Sequence, residues 1–380
     1  MMLPHATGGI LRDTMQGLLD ENVHDQRGRS RRTFLGGLAT LGAAALIQNG
    51  QSAAQTTVQT ARWIDVHHHF APPAYVAFEK AHNKAVDDIP WILSKDLEDM
   101  DQNGTATAIL SVSSPGFWFG QRDEIRRVAR ECNETAAKLR SDYPGRFGNF
   151  ATVFLPDTEG ALREIEYALD ILKADGISGF SNYADIWLGD EKLAPIWDEL
   201  NRRKAVVFIH AIEANCCRNL IKGVASSLVE YGADTTRSIA SLIYSGTTGR
   251  FPDVRFIFSH GGGMMPYVIE RFLAGDSAEL VPGVITRGQG TVPPKDVPKG
   301  VLYELRKMYY DTAQVSNPVS MRALREVVPV SQIVYGTDSW RRTAAETSQA
   351  LKAGKVFNDT ELFAIGRGNI ERILPRYSRE

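Results

Sequence analysis

Three consecutive histidines constrain the fold of this chain more than any other feature of its sequence. His67, His68 and His69 end an apolar stretch that begins at Trp63 and predicts a short buried strand. Because successive side chains of a strand point to opposite faces, His67 and His69 share one face and His68 lies on the other. Two imidazoles on one face at the end of a strand indicate the start of a metal site. A purification tag is the alternative, but a tag is usually longer and terminal.

Strand-like apolar runs recur along the rest of the chain and alternate with helical stretches. We predict eight strands, at Ile64–His69, Ala106–Ser113, Phe147–Leu155, Gly176–Asn182, Ala205–His210, Val254–His260, Tyr309–Ala313 and Gln332–Tyr335. We predict helices at Ser94–Asn103, Asp123–Asp142, Thr158–Ala174, Leu193–Arg203, Asp234–Ser245, Val319–Val327, Thr343–Ala353 and Thr360–Leu374. A loop is expected directly after the first strand, and a second, rich in proline, at Thr291–Pro298.

The predicted strands are rich in β-branched residues and do not alternate between polar and apolar, which is typical of a parallel sheet covered by helices. The fold class that we predict is α/β, a (β/α)8 TIM barrel with a helical insertion after the fifth strand. A doubly wound open sheet is the main alternative, but no glycine-rich fingerprint follows the first strand.

The N-terminal 54 residues have a different character from the rest. Ser30-Arg31-Arg32-Thr33-Phe34-Leu35 is a twin-arginine pattern, followed by a small and apolar stretch and then by Ser52-Ala53-Ala54, a candidate peptidase site. We interpret residues 1–54 as a twin-arginine signal peptide and residues 55–380 as a single domain. The protein is then expected in the periplasm of a bacterium or exported. An ordinary amphipathic helix is the alternative, but three glycines interrupt the stretch.

Charge and hydropathy exclude several classes of partner. The formal net charge of the chain is −2, so it carries no electrostatic footprint for nucleic acid or for an anionic membrane. No apolar run of the mature chain is long enough to span a bilayer. Cys216 and Cys217 are adjacent, and the three cysteines do not resemble a disulfide framework.

Histidines gather where the predicted strands end. Six of the eight histidines follow the signal, and five of these six lie at strand ends: His67, His68, His69, His210 and His260. Barrels of this type build their active sites at that face. We take His210 as a third metal ligand, with a packed core histidine as the alternative. Asp338 after the eighth strand supplies an oxygen ligand, unless it only caps the next helix.

Three nitrogens and one carboxylate suit one divalent metal ion, Zn²⁺ first, with Mn²⁺ or Fe²⁺ as alternatives. A second metal usually requires a carboxylate or a modified lysine near the fourth strand, and Gly176–Asn182 has neither. We therefore expect one metal and assign His260 as the general base or as an electrostatic partner for metal-bound water. Trp118 and Trp340 follow the second and eighth strands and are expected to wall a pocket for a flat substrate, although such residues often pack in a core or at a rim.

Four motifs together resemble the amidohydrolase superfamily, and within it the branch typified by aminocarboxymuconate-semialdehyde decarboxylase. They are Asp65-Val66-His67-His68-His69-Phe70, His210, His260-Gly261-Gly262-Gly263 and Gly336-Thr337-Asp338. The resemblance implies a metal-dependent hydrolase type of barrel and one metal held by residues matching His67, His69, His210 and Asp338. It also implies that His260 activates water and that the protein is a homodimer, in which Arg271 matches an arginine that reaches the neighbouring subunit's substrate carboxylate. A surface ion pair is the alternative role for Arg271.

The resemblance implies non-oxidative decarboxylation of a small aromatic or muconate-like carboxylate, with Asp338 passing a proton to the carbon that loses its carboxylate. A metal-dependent hydrolase of a lactone or amide is the first alternative, and a catalytically silent exported metal-binding protein is the second. The chain departs from the branch at Ala211 and at Ser339-Trp340, and it has no arginine within Ala71–Pro90, where the decarboxylase has one that binds substrate. These departures count against the muconate substrate and leave the metal site intact.

Overall fold

The computed structural model describes residues 63–84, 90–184, 186–218, 220–274 and 294–378. The predicted signal at residues 1–54 and the beginning of the predicted proline-rich loop lie outside the described residues. The predicted boundary between signal and mature domain therefore stays a prediction from sequence.

Eight parallel strands form the centre of the fold, in the same order along the sheet as along the chain. They are β1 (Trp63–His69), β2 (Thr105–Ser111), β3 (Phe147–Thr152), β4 (Gly176–Phe180), β5 (Val206–His210), β6 (Arg255–Phe258), β7 (Tyr309–Asp311) and β8 (Ile333–Val334). A short antiparallel pair, Asn182–Tyr183 with Ile186–Trp187, follows β4. The predicted (β/α)8 TIM barrel is confirmed.

The barrel closes between its first strand and the segment that follows its last strand. The backbone N–H of Val66 donates to the Tyr335 carbonyl at 3.0 Å, and that of His69 donates to the Ser339 carbonyl at 2.8 Å. In the opposite direction, the Asp338 N–H donates to the His67 carbonyl at 2.8 Å. These three hydrogen bonds, which we call the seam, therefore run directly through the positions of the predicted metal ligands.

Apolar side chains fill the barrel interior, as expected of a packed core. Ile64 and Val66 of β1, Phe150 of β3, Phe208 of β5 and Ile257 of β6 belong to one buried cluster. The rings of Phe150 and Phe208 stack with their centroids 5.7 Å apart. Since the interior is solid below these layers, chemistry is confined to the ends of the barrel.

Helices cover the outside of the barrel. They are α1 (Pro73–Ala81), α2 (Leu93–Asn103), α3 (Arg122–Asp142), α4 (Thr158–Glu166), α5 (Ala194–Arg202), α6 (Glu230–Tyr244), α7 (Thr247–Arg250), α8 (Ile269–Leu273), α9 (Val301–Lys307), α10 (Pro318–Val327), α11 (Ala344–Ala353), α12 (Asp359–Phe363) and α13 (Asn369–Ile373). The longest, α3, buries Ile125, Val128, Cys132, Ala136 and Leu139, at the spacing of one helical face. None of the helices in the described ranges is both long and apolar enough to cross a membrane.

The structure differs from the predicted elements at several ends. The predicted loop after β1 contains helix α1, since Pro73 occupies the first helical position, where its missing N–H costs nothing. The predicted helices Thr158–Ala174 and Thr360–Leu374 are interrupted by π-helical turns at Tyr167–Ile171 and Ala364–Gly368. The sixth strand ends at Phe258 and the eighth at Val334, so His260 and Asp338 lie in the loops beyond their strands.

Candidate metal centre

Four predicted ligands meet at the carboxyl end of the barrel. His67 and His69 on β1, His210 at the end of β5 and Asp338 after β8 each offer one ligand atom, and these atoms lie within 4.8 Å of one another. The Nε2 atoms of His67 and His69 are 3.1 Å apart, and Asp338 Oδ1 lies 3.2 Å from the first and 3.0 Å from the second. All four residues are buried. We call this group the metal cradle.

Parallel pairing explains why residues so distant in sequence converge. His69 pairs with Ser111 at the end of β2, Phe180 of β4 pairs with His210, and Val334 of β8 pairs with Asp311 of β7. The carboxyl ends of all strands therefore reach one rim. The structure thus brings together the four residues that the sequence predicts as ligands.

Electrostatics at the metal cradle favour a cation. Burial lowers the pKa of His69 to about 4 and that of His210 well below its usual value, so both imidazoles are neutral and keep a lone pair for a ligand bond. Burial also disfavours the charged form of His67, but Asp311 and Asp338 prevail and raise its pKa to about 10. The two carboxylates thus require a positive charge, which a divalent ion would supply by displacing the His67 proton.

The Nδ1 atom of His210 is buried and has no hydrogen-bond partner among the described residues. A buried polar atom without a hydrogen-bond partner is costly unless a ligand or an ion satisfies it. The donor set consists of three imidazoles, each of which can bind a metal through a neutral nitrogen, and one carboxylate. This set fits a divalent transition metal.

Asp311 links the metal cradle to the loop that carries His260. Its Oδ2 lies 2.7 Å from His67 Nδ1, which fixes the tautomer of that ring and turns Nε2 towards the metal cradle. Its Oδ1 accepts hydrogen bonds from the backbone N–H groups of His260 at 2.8 Å and Ala313 at 3.0 Å. One buried carboxylate therefore orients a ligand and the predicted base together.

The two carboxylate oxygens of Asp338 face different groups. Burial opposes its ionisation, but the charge on His67 and hydrogen bonds from the surrounding imidazoles hold its pKa well below the usual range. While Oδ1 faces His67 and His69, Oδ2 accepts a hydrogen bond from the Gln314 side chain and lies 3.6 Å from His260 Nε2. Asp338 is thus a carboxylate shared between the ligands and the base.

Backbone strain concentrates at this rim. His260, Gln314 and Asp338 have φ values of 54°, 57° and 67°, in the left-handed region that non-glycine residues rarely adopt. Each such residue costs about 1–3 kcal/mol, and such strain persists where the surroundings over-determine it, often at active sites. Hydrogen bonds to Asp311, Asp338 and the His67 carbonyl supply that constraint here.

His68 lies on the opposite face of β1, as the strand period indicates. Its Nδ1 is 3.0 Å from Asp65 Oδ2 and its Nε2 is 2.9 Å from Asp96 Oδ1 on α2. Asp65 also accepts hydrogen bonds from the Thr337 hydroxyl at 2.6 Å and from the Thr337 N–H at 3.1 Å. This buried group joins β1, α2 and the segment after β8, and it supports the metal cradle from outside the barrel.

The predicted pocket walls lie around the mouth of the metal cradle. Trp118 is half-buried and carries the Arg218 guanidinium over its ring at 4.3 Å. The Tyr231 hydroxyl donates to Ser114 at 3.0 Å, and the Tyr231 ring is 6.3 Å from the His210 ring. Trp340 is half-buried two residues after Asp338. Arg271 is exposed on α8 and forms no ion pair with another described residue.

Sequence reasoning missed Gln314 and Tyr231. Gln314 follows β7 by three residues, so its position near a strand end was a usable signal, but nothing local indicates that its amide reaches Asp338. Tyr231 is the second residue of α6, and no local pattern indicates that its ring lies 6.3 Å from the His210 ring.

We expect Asp311→Asn to lower metal affinity by about 10- to 100-fold. The asparagine amide would donate to His67 Nδ1, forcing the ring proton onto Nε2 and blocking the ligand lone pair. Its oxygen could still accept the backbone N–H groups, so the fold should survive. Competition with a chromophoric chelator measures the affinity.

The control for this prediction is Asp170→Asn, which removes an exposed carboxylate paired with Arg203 at 2.7 Å. Equal metal affinities of the wild type and Asp311→Asn would contradict the assigned role of Asp311.

Comparison with known proteins places this site among related sequences and folds. A family model described as amidohydrolase matches residues 64–376. A 6-methylsalicylic acid decarboxylase of Penicillium expansum is 36% identical over 287 residues, which are 72% of this chain and 84% of that protein. A decarboxylase of Aspergillus niger is 35% identical over 334 residues, or 83% of this chain and 88% of that protein.

The fold also matches a crystal structure of 5-carboxyvanillate decarboxylase from Novosphingobium aromaticivorans, complexed with manganese. The TM-score is 0.69 at 21% identity, and the match covers 84% of this chain and 97% of the other. At that identity the likeness concerns the fold.

Proposed function

This chain belongs to the amidohydrolase family, and on that basis we propose that it is a metal-dependent, non-oxidative decarboxylase of a small aromatic carboxylate. The observation that carries the proposal is the ionised Asp338, which touches both the metal ligands and His260. Such a carboxylate can bind the metal with one oxygen, and it can accept and donate a proton with the other. Two relatives with 35–36% identity, matched over most of their length, are decarboxylases.

The chemistry requires one proton at the carbon that loses its carboxylate. The carbon–carbon bond breaks, carbon dioxide leaves, and the electron pair that remains on the ring carbon must be protonated. A divalent ion in the metal cradle would act as a Lewis acid towards neighbouring substrate oxygens. His260 would take the proton of a hydroxyl next to the carboxylate and pass it to Asp338 across their 3.6 Å contact. Asp338 would then deliver it to the ring carbon.

An ortho-hydroxybenzoate is the substrate class that we propose, because the route needs an acidic hydroxyl beside the carboxylate. The Penicillium expansum relative is named for such a compound, 6-methylsalicylic acid. For the metal we propose Zn²⁺ first, from the predominance of imidazole ligands, with Mn²⁺ or Fe²⁺ as alternatives.

We expect the mature, metal-loaded protein to release carbon dioxide from one member of a panel of ortho-hydroxy and ortho-amino aromatic carboxylates. Parallel samples loaded with Zn²⁺, Mn²⁺ and Fe²⁺ identify the metal that supports turnover. His260→Ala with its metal retained should lose turnover, which separates an enzyme from a silent metal-binding protein. If fully metallated protein releases no carbon dioxide but hydrolyses a lactone or an amide, the proposal of a decarboxylase is refuted and the protein is a hydrolase.

We also propose that the protein is a homodimer in which Arg271 serves the neighbouring subunit. Arg271 is exposed on α8, Tyr267 is 90% exposed and Val319 is 79% exposed. Tyr267 and Val319 line a cavity of about 130 Å³ that His260 also lines. Apolar side chains so close to a rim favour burial against another chain. Light scattering would give the mass of the particle in solution, and a monomer would refute the dimer.

For residues 1–54 we propose export through the twin-arginine pathway to the periplasm. The support is the sequence pattern at Ser30–Leu35 and the apolar stretch that follows it. Fractionation of cells that express the full chain, with Arg31→Lys and Arg32→Lys together as the control, measures the location. Equal recovery of both proteins from the cytoplasm would refute export.

A further inference from the structure

We propose that Gln314 is a positioning residue, whose amide holds Asp338 so that one carboxylate oxygen serves the metal and the other serves the proton. The inference rests on the proposed function and names the residue that separates the two tasks of Asp338. A carboxylate beside a divalent ion can bind it with one oxygen or with both. Asp338 can exchange a proton through Oδ2 only if that oxygen stays off the metal.

The surroundings of Asp338 already distinguish its two oxygens. Oδ1 lies 3.2 Å from His67 Nε2 and 3.0 Å from His69 Nε2. Oδ2 accepts a hydrogen bond from the Gln314 amide and lies 3.6 Å from His260 Nε2. Because the terminal torsion of an aspartate has a broad energy minimum, a donor on Oδ2 is needed to fix the plane of the carboxylate. The Gln314 amide is such a donor.

The backbone sets Gln314 and Asp338 opposite each other. The Thr312 hydroxyl donates to the Gly336 carbonyl at 3.0 Å and accepts from the Gly336 N–H at 3.1 Å. Gln314 follows Thr312 by two residues, and Asp338 follows Gly336 by two residues. This reciprocal pair of hydrogen bonds therefore fixes the register between the loop after β7 and the loop after β8.

The loop after β7 is also anchored on both sides of Gln314. On one side the Ala313 N–H donates to Asp311 Oδ1 at 3.0 Å. On the other side the Ser316 hydroxyl donates to the Thr312 carbonyl at 2.7 Å. Since these bonds hold the backbone of the loop, the amide of Gln314 is oriented by a fixed support.

The residue type at position 314 is unusual for its backbone conformation. Gln314 has a φ of 57°, and a glycine would adopt this conformation at a lower cost. A turn alone would not require a glutamine there. Places where a sequence departs from local preference are typically functional sites. Gln314 is exposed, whereas Asp338 is 4% exposed, so the amide covers the buried carboxylate from the solvent side.

A glutamine is chemically suited to this task. Its amide donates a hydrogen bond but does not titrate, so it holds Oδ2 without competing for the proton. A carboxylate oxygen has two lone pairs, and the Gln314 bond occupies one of them. The second lone pair of Asp338 Oδ2 is left for the proton that comes from His260.

The test compares the wild type with Gln314→Met, which keeps the length of the side chain and removes the donor. We expect kcat to fall by about 10- to 100-fold, the usual contribution of a hydrogen bond to a charged group, while KM changes by less than about threefold. The visible absorption of the Co²⁺-loaded variant should be weaker, because Oδ2 becomes free to turn to the metal and a higher coordination number weakens this absorption. Gln314→Glu, which replaces the N–H donor by an oxygen, tests the same bond if Gln314→Met does not fold.

Gln102→Met is the matched control, because the Gln102 amide donates to Glu98 at 3.0 Å on the exposed surface of α2. It should match the wild type in turnover and in the Co²⁺ spectrum. Wild-type kcat in Gln314→Met would refute this inference and leave the proposed function standing. A lowered kcat with an unchanged Co²⁺ spectrum would also overturn it, because Asp338 would then keep its orientation without the amide. If the protein turns over no carboxylate, the spectra decide alone: weaker absorption in Gln314→Met supports the role of Gln314, and equal absorption refutes it.

Discussion

Asp338→Asn is expected to lower kcat by about 10²- to 10⁴-fold, the range in which a positioned acid–base group contributes. The asparagine oxygen can still face His67 and His69 as a neutral ligand, so the metal cradle would keep its shape and part of its affinity. The amide cannot carry the proton that the ring carbon needs. Steady-state turnover at saturating metal measures the loss, with metal content determined on the same sample.

Asp198→Asn on the exposed face of α5 is the matched control for that experiment and should retain full turnover. A fully metallated Asp338→Asn protein within about tenfold of wild-type kcat would remove Asp338 from the proton route. If the variant instead loses its metal, the metal analysis identifies Asp338 as an essential ligand.

His68→Leu should destabilise the protein by about 3–5 kcal/mol, the cost of removing one partner from a buried ion pair. The leucine would leave Asp65 and Asp96 buried and facing an apolar side chain. Although burial opposes the charged form, Asp96 and Asp65 raise the pKa of His68 to about 10, so the native protein carries an imidazolium there. Urea unfolding of the wild type and the variant at pH 7 gives the difference.

The pH dependence of this difference has a definite sign. The pKa of His68 rises from 6.5 to about 10 on folding, so its contribution is complete below pH 6.5 and is lost as the pH rises towards 10. The gap between the wild type and His68→Leu should therefore narrow across that window. A gap that widens would contradict the charged state of His68.

His82→Leu is the control for His68→Leu. His82 is half-buried and lies 2.9 Å from a single carboxylate, that of Glu124, so its loss should cost no more than about 1 kcal/mol. Equal destabilisation by both substitutions would show that burial of the His68 ion pair adds nothing to its contribution to the free energy of unfolding.

Much of the fold and of the site could be predicted from local sequence patterns, because a barrel of parallel strands brings the carboxyl ends of all its strands to one rim. The period of two along β1 separated His67 and His69 from His68, and a buried strand that ends in an imidazole marked His210. Other contacts have no local signature. Asp311 Oδ2 meets His67 across 244 residues and Gln314 meets Asp338 across 24, and both depend on strand order and on how loops leave the rim.

Strand ends and loop conformations were less predictable for the same reason. His260 and Asp338 were assigned to strand ends, but tertiary hydrogen bonds hold both in left-handed conformations beyond the strands. A loop was expected directly after the first strand, whereas Pro73 begins α1 there. Propensity alone does not decide between these outcomes.

The seam can form only after both ends of the barrel have been synthesised. Asp65 and Thr337 are 272 positions apart, and the hydrogen bonds of the seam join the first strand of the barrel to the segment after the last. Such non-local contacts form only after the intervening chain has closed a long loop. A ribosome-bound or truncated chain that lacks the residues after β8 would have His67 and His69 on a strand that pairs with β2 alone, and it would lack the Asp338 ligand. Loading with metal is therefore a late event, and it follows complete synthesis of the barrel.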